Sequence, residues 1–424
     1  MEGYLKGRIN FLITKDTASS IQIGTTGEWE GKQFEIIGRA RYVFDEGYAN
    51  YWTMLFDGGE VLMLEESFGQ FAVYEKITLE IDVSFSRMRR MSYGDDTVEL
   101  NHKKHYILER QQLSQYAEVE GEALLFDGEG QFAFLETAAQ GGGRITLIAV
   151  QGREEYTSYK VKYKPYPGFG FANMRSLQPG TVIKEVPCKS CNTTNVLYSW
   201  PLAQSFTCNT CGACYTFEKG EWKYARRVTL AKKPVIPLHA MGTIRGTQYQ
   251  AVGYMEIEDG DAYHWREYTL YNPVEGYAYL SEYNGHWIFF KEMADAPVIT
   301  GKKTMAYRYE GKTFRKYDQY KCTLVDSRGE FPGKAFDANK NKPDCIEFIA
   351  PPEMWVRENY ERLDGLCWYH GTHITANELY DAFGKISLPY TIGVGSVQPA
   401  AGQVDSTVLR NSCFGVAALF LLLF

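Results

Sequence analysis

The residues best placed to do chemistry are cysteines. The chain has nine, and four of them form two pairs, Cys188-Lys-Ser-Cys191 and Cys208-Asn-Thr-Cys211, with sixteen residues between the pairs. A C-x-x-C turn aims two sulfurs at one ion, and two such turns at this separation are the ligand set of a four-thiolate zinc site. Asn192 and Gly212, directly behind the pairs, suit the open backbone geometry of such turns. Cys214 makes a competing C-x-x-C with Cys211. Because Gly212 falls immediately behind Cys211, the ligands are read as Cys188, Cys191, Cys208 and Cys211, with Cys214 a spare thiol or alternative ligand. Four thiolates fill tetrahedral Zn²⁺ and leave no position for water, so the zinc is expected to be structural.

A second constellation is His264-Trp265-Arg266-Glu267-Tyr268. On a strand, Trp265 and Glu267 share one face and Arg266 and Tyr268 the other. If the first face is concave, indole and carboxylate make a polar spot in an aromatic pocket, so Trp265, Glu267 and Tyr268 are candidate ligand-binding residues. The competing reading is a core Trp with a Glu paired at the rim. A third is basic: eight Lys or Arg against three Glu between Lys184 and Lys233, a local net of +5. There Lys223, Arg226 and Arg227, interleaved with Trp222 and Tyr224, are candidates for tracking a nucleic-acid backbone, set against a solvated linker. His102 and His105 read as an exposed loop, and His370 and His373 as a surface turn. P-loop, dinucleotide, GxSxG and HExxH motifs are absent from the sequence.

The elements that position these groups read as β-structure. Aromatic residues make up 15% of the 424 positions, 31 Tyr, 24 Phe and 8 Trp, beside 40 Gly. Aromatics favour strands and glycines favour tight turns. The net charge of −7 argues against a surface that coats nucleic acid throughout. A long-period repeat is present: Gly31 to Gly38 returns as Gly246 to Gly253, Trp52 answers to Trp265, and Leu64 to Phe71 answers to Leu280 to Trp287. Glu118 to Glu122 echoes Glu330 to Lys334. Asn284-Gly285, Asp57-Gly-Gly59 and Asp127 to Gly130 mark hairpins, the last between Ala123 to Phe126 and Gln131 to Leu135. Thr375-Ala-Asn-Glu378 has capping-box spacing and Gly384 follows, which predicts a helix over 376–383 with Leu379, Tyr380 and Phe383 on the sheet.

The expected fold is therefore mainly β: two antiparallel sheet domains, sandwiches or open barrels, separated by a zinc ribbon, with few short helices and an apolar C-terminal segment. The boundaries are 1–177, 178–233 and 234–402, followed by a linker and the start of a membrane helix over 403–424. Phe414 to Phe424 is wholly apolar, but at ~1.5 Å per residue it reaches only about half of a ~30 Å hydrocarbon core, so it reads as part of a longer transmembrane helix. With no secretory signal at the N-terminus, and with C-x-x-C pairs instead of a disulfide framework, the body is placed on the cytoplasmic side of that membrane.

These residues resemble the bacterial family known as domain of unknown function 4178. In the second repeat the resemblance is carried by Gly253, Trp265-Arg-Glu267-Tyr268, Leu280-Ser-Glu282, Gly285, Trp287 and Glu330 to Gly333. The first keeps Gly38, Trp52, Leu64-Glu-Glu66, Gly69 and Glu118 to Glu122, but reads Trp52-Thr-Met-Leu in place of W-x-E-Y. Ile349 to Met354, Trp368, Ala382-Phe383 and Gln398-Pro399 are similar to the tail of such proteins. The resemblance implies two copies of the domain, an intervening zinc ribbon and a membrane anchor, and no established activity. The expected function is that of a non-enzymatic interaction or assembly protein at a membrane, with protein partners. The alternatives are nucleic-acid binding through the ribbon, or a small-ligand receptor or enzyme using the Trp265 and Glu267 face.

Overall fold

The computed structural model describes residues 19–399 apart from 45–46, 68, 82, 92–95, 115, 117, 140–142, 178–182, 219, 260–262, 294–304, 334, 337–342, 361–364 and 385. The expected linker and membrane segment over 403–424 lie outside the described residues, as does Cys413. Among the described residues no helix is long and apolar enough to cross a membrane.

Period-two alternation and turn glycines divide the chain into short antiparallel strands. The first unit holds β1 (Thr26–Trp29), β2 (Lys32–Phe44), β3 (Gly47–Phe56), β4 (Val61–Ser67), β5 (Gln70–Ile77), helix α1 (Phe85–Met88), β6 (Thr97–Leu100), β7 (Lys103–Leu113), β8 (Glu118–Gly121), β9 (Phe132–Ala139), β10 (Arg144–Val150) and β11 (Thr157–Tyr163). The middle unit holds β12 (Lys184–Pro187), β13 (Thr194–Leu197), β14 (Ala203–Thr207), β15 (Ala213–Glu218) and β16 (Glu221–Arg227). The last holds β17 (Met241–Ile244), β18 (Thr247–Glu258), β19 (His264–Asn272), β20 (Gly276–Tyr283), β21 (His286–Glu292), β22 (Ala306–Tyr309), β23 (Lys312–Lys321), β24 (Thr323–Pro332), β25 (Asp344–Ala350), β26 (Glu353–Tyr360), β27 (Gly365–Ile374) and helix α2 (Ala376–Phe383).

The first sheet runs β1-β2-β3-β4-β5-β11-β10-β9-β7-β6 with β8 on β2. The last runs β24-β18-β19-β20-β21-β27-β26-β25-β23-β22 with β17 on β18, so the two strand orders coincide element by element. β23 and β24 stand far apart in that order, yet only Cys322 separates them in the chain. The sheet must curl until one bent strand joins its two sides, which is the geometry of an open barrel.

Close backbone approaches pin the curl. Gly253 pairs with Gly329, whose φ is +80°, and a Cβ on Gly329 would meet the Val252 carbonyl oxygen at 2.2 Å. Gly38 and Gly121 make the same crossing in the first unit, where a Cβ on Gly121 would meet the Ile37 oxygen at 2.3 Å. This register corrects two pairings expected from the repeat. Gly121 answers to Gly329, not Gly333. Thr53 faces Gly38 as Thr269 faces Gly253, so Trp52 stands where Tyr268 does and Tyr51 where Glu267 does.

Two further expectations differ. Ala123 to Phe126 is not a strand of a hairpin, because Phe126 turns inward and packs its ring against Tyr42 at 4.7 Å and Tyr51 at 4.9 Å. His105, His370 and His373 lie on strands β7 and β27 instead of in loops, with His105 buried beside Thr137. Helix α2 forms where its capping box predicts: the Thr375 hydroxyl accepts from Glu378 N–H and the Glu378 carboxylate accepts from Thr375 N–H. Leu379 is buried beneath it, and Phe383 lies over Gly242, but Tyr380 points outward. The middle unit is not free-standing: β14 pairs with β24, so β14, β15 and β16 extend the last sheet.

Candidate functional site

The two C-x-x-C segments fold as matching turns. Asn192 N–H donates to Cys188 O at 2.8 Å and Gly212 N–H to Cys208 O at 2.9 Å, with left-handed φ of +60° and +69° at the residues behind each pair. At position 212 only glycine fits, because a Cβ would meet the Val228 oxygen at 2.2 Å. The turns bring the Sγ atoms of Cys188, Cys191, Cys208 and Cys211 within 4.8 Å of one another, a cluster able to hold a metal ion. Cys188 to Cys211 is 3.6 Å and Cys191 to Cys208 is 3.7 Å. Sulfurs placed ~2.3 Å from a tetrahedral ion stand about 3.8 Å apart, so the spacing fits. Burial works against ionisation of the Cys188 thiol, but hydrogen bonds from the Tyr215 hydroxyl and the Ser190 and Cys191 amides outweigh it and hold the thiol below its usual range. Cys214 is turned away, buried between Thr207 and Ser327.

The basic residues around this cluster are partly engaged. Lys223 pairs with Glu218 at 3.1 Å and Arg226 donates to the Leu324 carbonyl at 3.3 Å, while Arg227 is exposed. Trp222, expected as a stacking platform, is instead buried among Trp200, Phe206 and Phe217, since alternate residues of β16 face the core of the middle unit. Tyr224 is exposed.

Trp265 and Glu267 lie on the inner face of the curled last sheet and line a cavity of about 890 Å³. Trp265 Nε1–H donates to Glu267 Oε1 at 2.8 Å, and the Tyr320 ring meets the indole edge-on at 5.6 Å. Tyr268, grouped with them as a ligand residue, belongs to the other face. It is fully buried against Trp287, and its hydroxyl accepts from Val235 N–H at 2.9 Å, as strand alternation requires.

Seven carboxylates are set into the cavity wall. Glu267, Glu292, Glu347, Glu358, Asp259 and Asp318 come from the last unit, and Glu109 on β7 closes one side. Among the described residues lining it there is no lysine and no arginine. Burial pushes the carboxyls of Glu267, Glu292 and Glu347 up to about 7, against hydrogen bonds from Trp265, Gln70 and Tyr320 respectively. Glu292 is enclosed by protein yet exposed to the cavity space. Aromatic rings supply much of the remaining wall, among them Tyr279, Tyr283, Tyr317 and Tyr369. Residues 392–398 cross one side, where Ile392 N–H donates to Asn284 O and Val397 is buried beside Phe290 and Met354.

Among the described residues, aromatic rings occupy the matching face of the first unit. Tyr51, at the register of Glu267, packs with Tyr42, Tyr74 and Phe126, and the remaining cavity on that side is about 140 Å³. What sequence reading missed was the set of carboxylates and thiols sharing the Trp265 face, because their strands lie far apart in the chain.

A domain described as Domain of unknown function (DUF4178) is found at residues 237–376, which covers strands β17 to β27. Neither the curated proteins nor the solved structures contain a match to the chain.

Proposed function

We propose that the chain is a binding protein for a small organic cation, built from two copies of the DUF4178 β unit around a structural zinc ribbon, with the ligand site in the second copy. Duplication is supported by the shared strand order and the shared glycine crossings. Zinc is supported by four thiols at tetrahedral spacing, which would saturate the ion and leave it no catalytic position.

The observation that carries the ligand reading is the cavity wall: seven carboxylates, no lysine or arginine among the described lining residues, and tyrosine and tryptophan rings between them. Glu267, Glu292 and Glu347 are held by the neutral donors Trp265, Gln70 and Tyr320, and carboxyls buried in this way either take up protons or await a positive ligand. An ammonium or guanidinium group satisfies them, and its alkyl parts suit the aromatic wall through cation–π and apolar contact. Copy one, with Tyr51 in place of Glu267 and Phe126 inside, serves as a filled scaffold. Calorimetric titration with alkylammonium and guanidinium ions tests the reading, and affinity weakened roughly tenfold in Glu267→Gln locates it.

A further inference from the structure

Cys322 sits at the bend between β23 and β24, where the curled sheet closes. Its Sγ is 3.8 Å from that of Cys345 on β25, and the two thiols share a hydrogen bond. Both line the cavity, as do Cys367 and the thioethers of Met255 and Met354. Cys345, Glu358 and Cys367 occupy paired positions across β25, β26 and β27, so a carboxylate position separates the third thiol from the pair.

This is sulfur-rich, acidic space, and that combination selects a particular class of ion. Thiolate and thioether donors favour soft cations over Mg²⁺ or Ca²⁺. Among the described residues, the ribbon cysteines are the one cluster of three or more ligating groups in close reach, so the Cys322–Cys345 pair does not offer zinc its usual four ligands. Two sulfurs in van der Waals contact need only small side-chain rotations to grip one ion from opposite sides. The acidic wall opposes ionisation of a bare thiol pair, whereas a bound cation cancels part of the charge created.

We propose that Cys322 and Cys345 form a two-thiolate site for a soft monovalent cation, Cu(I) or its analogue Ag(I), at the closure of the second barrel. Two S–H bonds are replaced by two S–metal bonds, both protons pass to solvent, and the metal keeps its oxidation state. The site rests on the thiol pair and stands whether or not the cavity takes an organic amine.

The test uses the full-length, zinc-loaded, reduced chain under anaerobic conditions, titrated with Cu(I) or Ag(I) against a competing chelator while zinc is measured in parallel. The expected result is uptake of about one soft ion per chain with zinc retained, and affinity reduced at least roughly tenfold in Cys322→Ser and in Cys345→Ser. Cys214→Ser, which removes a buried thiol outside the cavity, keeps wild-type uptake. Equal uptake by a folded Cys322→Ser/Cys345→Ser double variant overturns the site. So does metal that enters only by displacing zinc.

Discussion

Trp265 and Glu267, two residues apart on β19, are joined by a 2.8 Å hydrogen bond from the indole N–H to the carboxylate, on the face that lines the large cavity. The bond holds one carboxylate oxygen in place and leaves the group facing the cavity space. It also favours the ionised form, yet burial outweighs it and the carboxyl stays up at about 7. Near neutral pH the group is therefore divided between an acid and an anion, and a bound cation would settle it as the anion.

Ligand binding should consequently depend on pH with a definite sign. Glu267 and Glu292 both stand at about 7 in the ligand-free chain. A cation binds their ionised forms, so affinity rises as pH increases through 7 and flattens above about 8, with protons released on binding. Calorimetry in buffers of different ionisation enthalpy measures that release directly. In Glu267→Gln the pH dependence shrinks and affinity falls roughly tenfold.

Fold stability should move the other way. Burial raises Glu65, Glu267, Glu292 and Glu347 to about 7 and Glu330 to about 8, from 4.5. Each holds a proton in the folded chain that the unfolded chain has already lost. The associated stability is complete below about pH 4.5 and is lost as pH rises through 7 to 8. Thermal unfolding between pH 6 and 8.5 should show Tm falling with pH, and a shallower fall in Glu330→Gln. A saturating cationic ligand should oppose the fall.

The glycine crossings give a mutational contrast. Gly311 and Gly329 have nearly the same φ, +79° and +80°, but a Cβ at 311 meets nothing within 4 Å whereas one at 329 meets the Val252 oxygen at 2.2 Å. Gly311→Ala should cost about 1 kcal/mol for backbone strain alone. Gly329→Ala should cost more than about 2 kcal/mol, because the β18–β24 crossing must open. Denaturant unfolding of the two variants measures the difference.

For the thiol cluster, zinc content per chain should fall to near zero in Cys188→Ser/Cys211→Ser and stay at the wild-type level in Cys214→Ser. Chelation should loosen the turns that carry β12 to β15. Because Glu330 accepts hydrogen bonds from the Tyr198 and Ser199 amides, loss of the ion should also be felt at β24, where the middle unit joins the last sheet. Elemental analysis, with amide hydrogen exchange over residues 184–218, reads both effects.

The parts of this molecule that were legible in its sequence are those governed by local geometry. The Cys188 to Cys211 spacing, the Thr375 capping box and the shared face of Trp265 and Glu267 each depend on a few neighbouring residues, and the structure places them accordingly. What escaped was set by the curl of the sheet. The repeat sets Trp52 against Trp265, yet the Gly38 and Gly253 crossings put it at the register of Tyr268. Nothing local to Phe126 says that its ring packs inside the first unit, or that Tyr51 at the register of Glu267 goes with a cavity of about 140 Å³ on one side and about 890 Å³ on the other. Cys322 and Cys345 meet only because a bent strand closes the barrel.

The most direct test of the account is calorimetric titration of the full-length protein with matched alkylammonium, guanidinium, alkyl carboxylate and alkyl sulfonate ions at pH 8, repeated on Glu267→Gln and Trp265→Ala. The predicted result is saturable binding of one or more cations, no binding of the anions, and affinity weakened roughly tenfold by either substitution. Binding of the anions in preference to the cations, or cation binding unchanged in both variants, would contradict it.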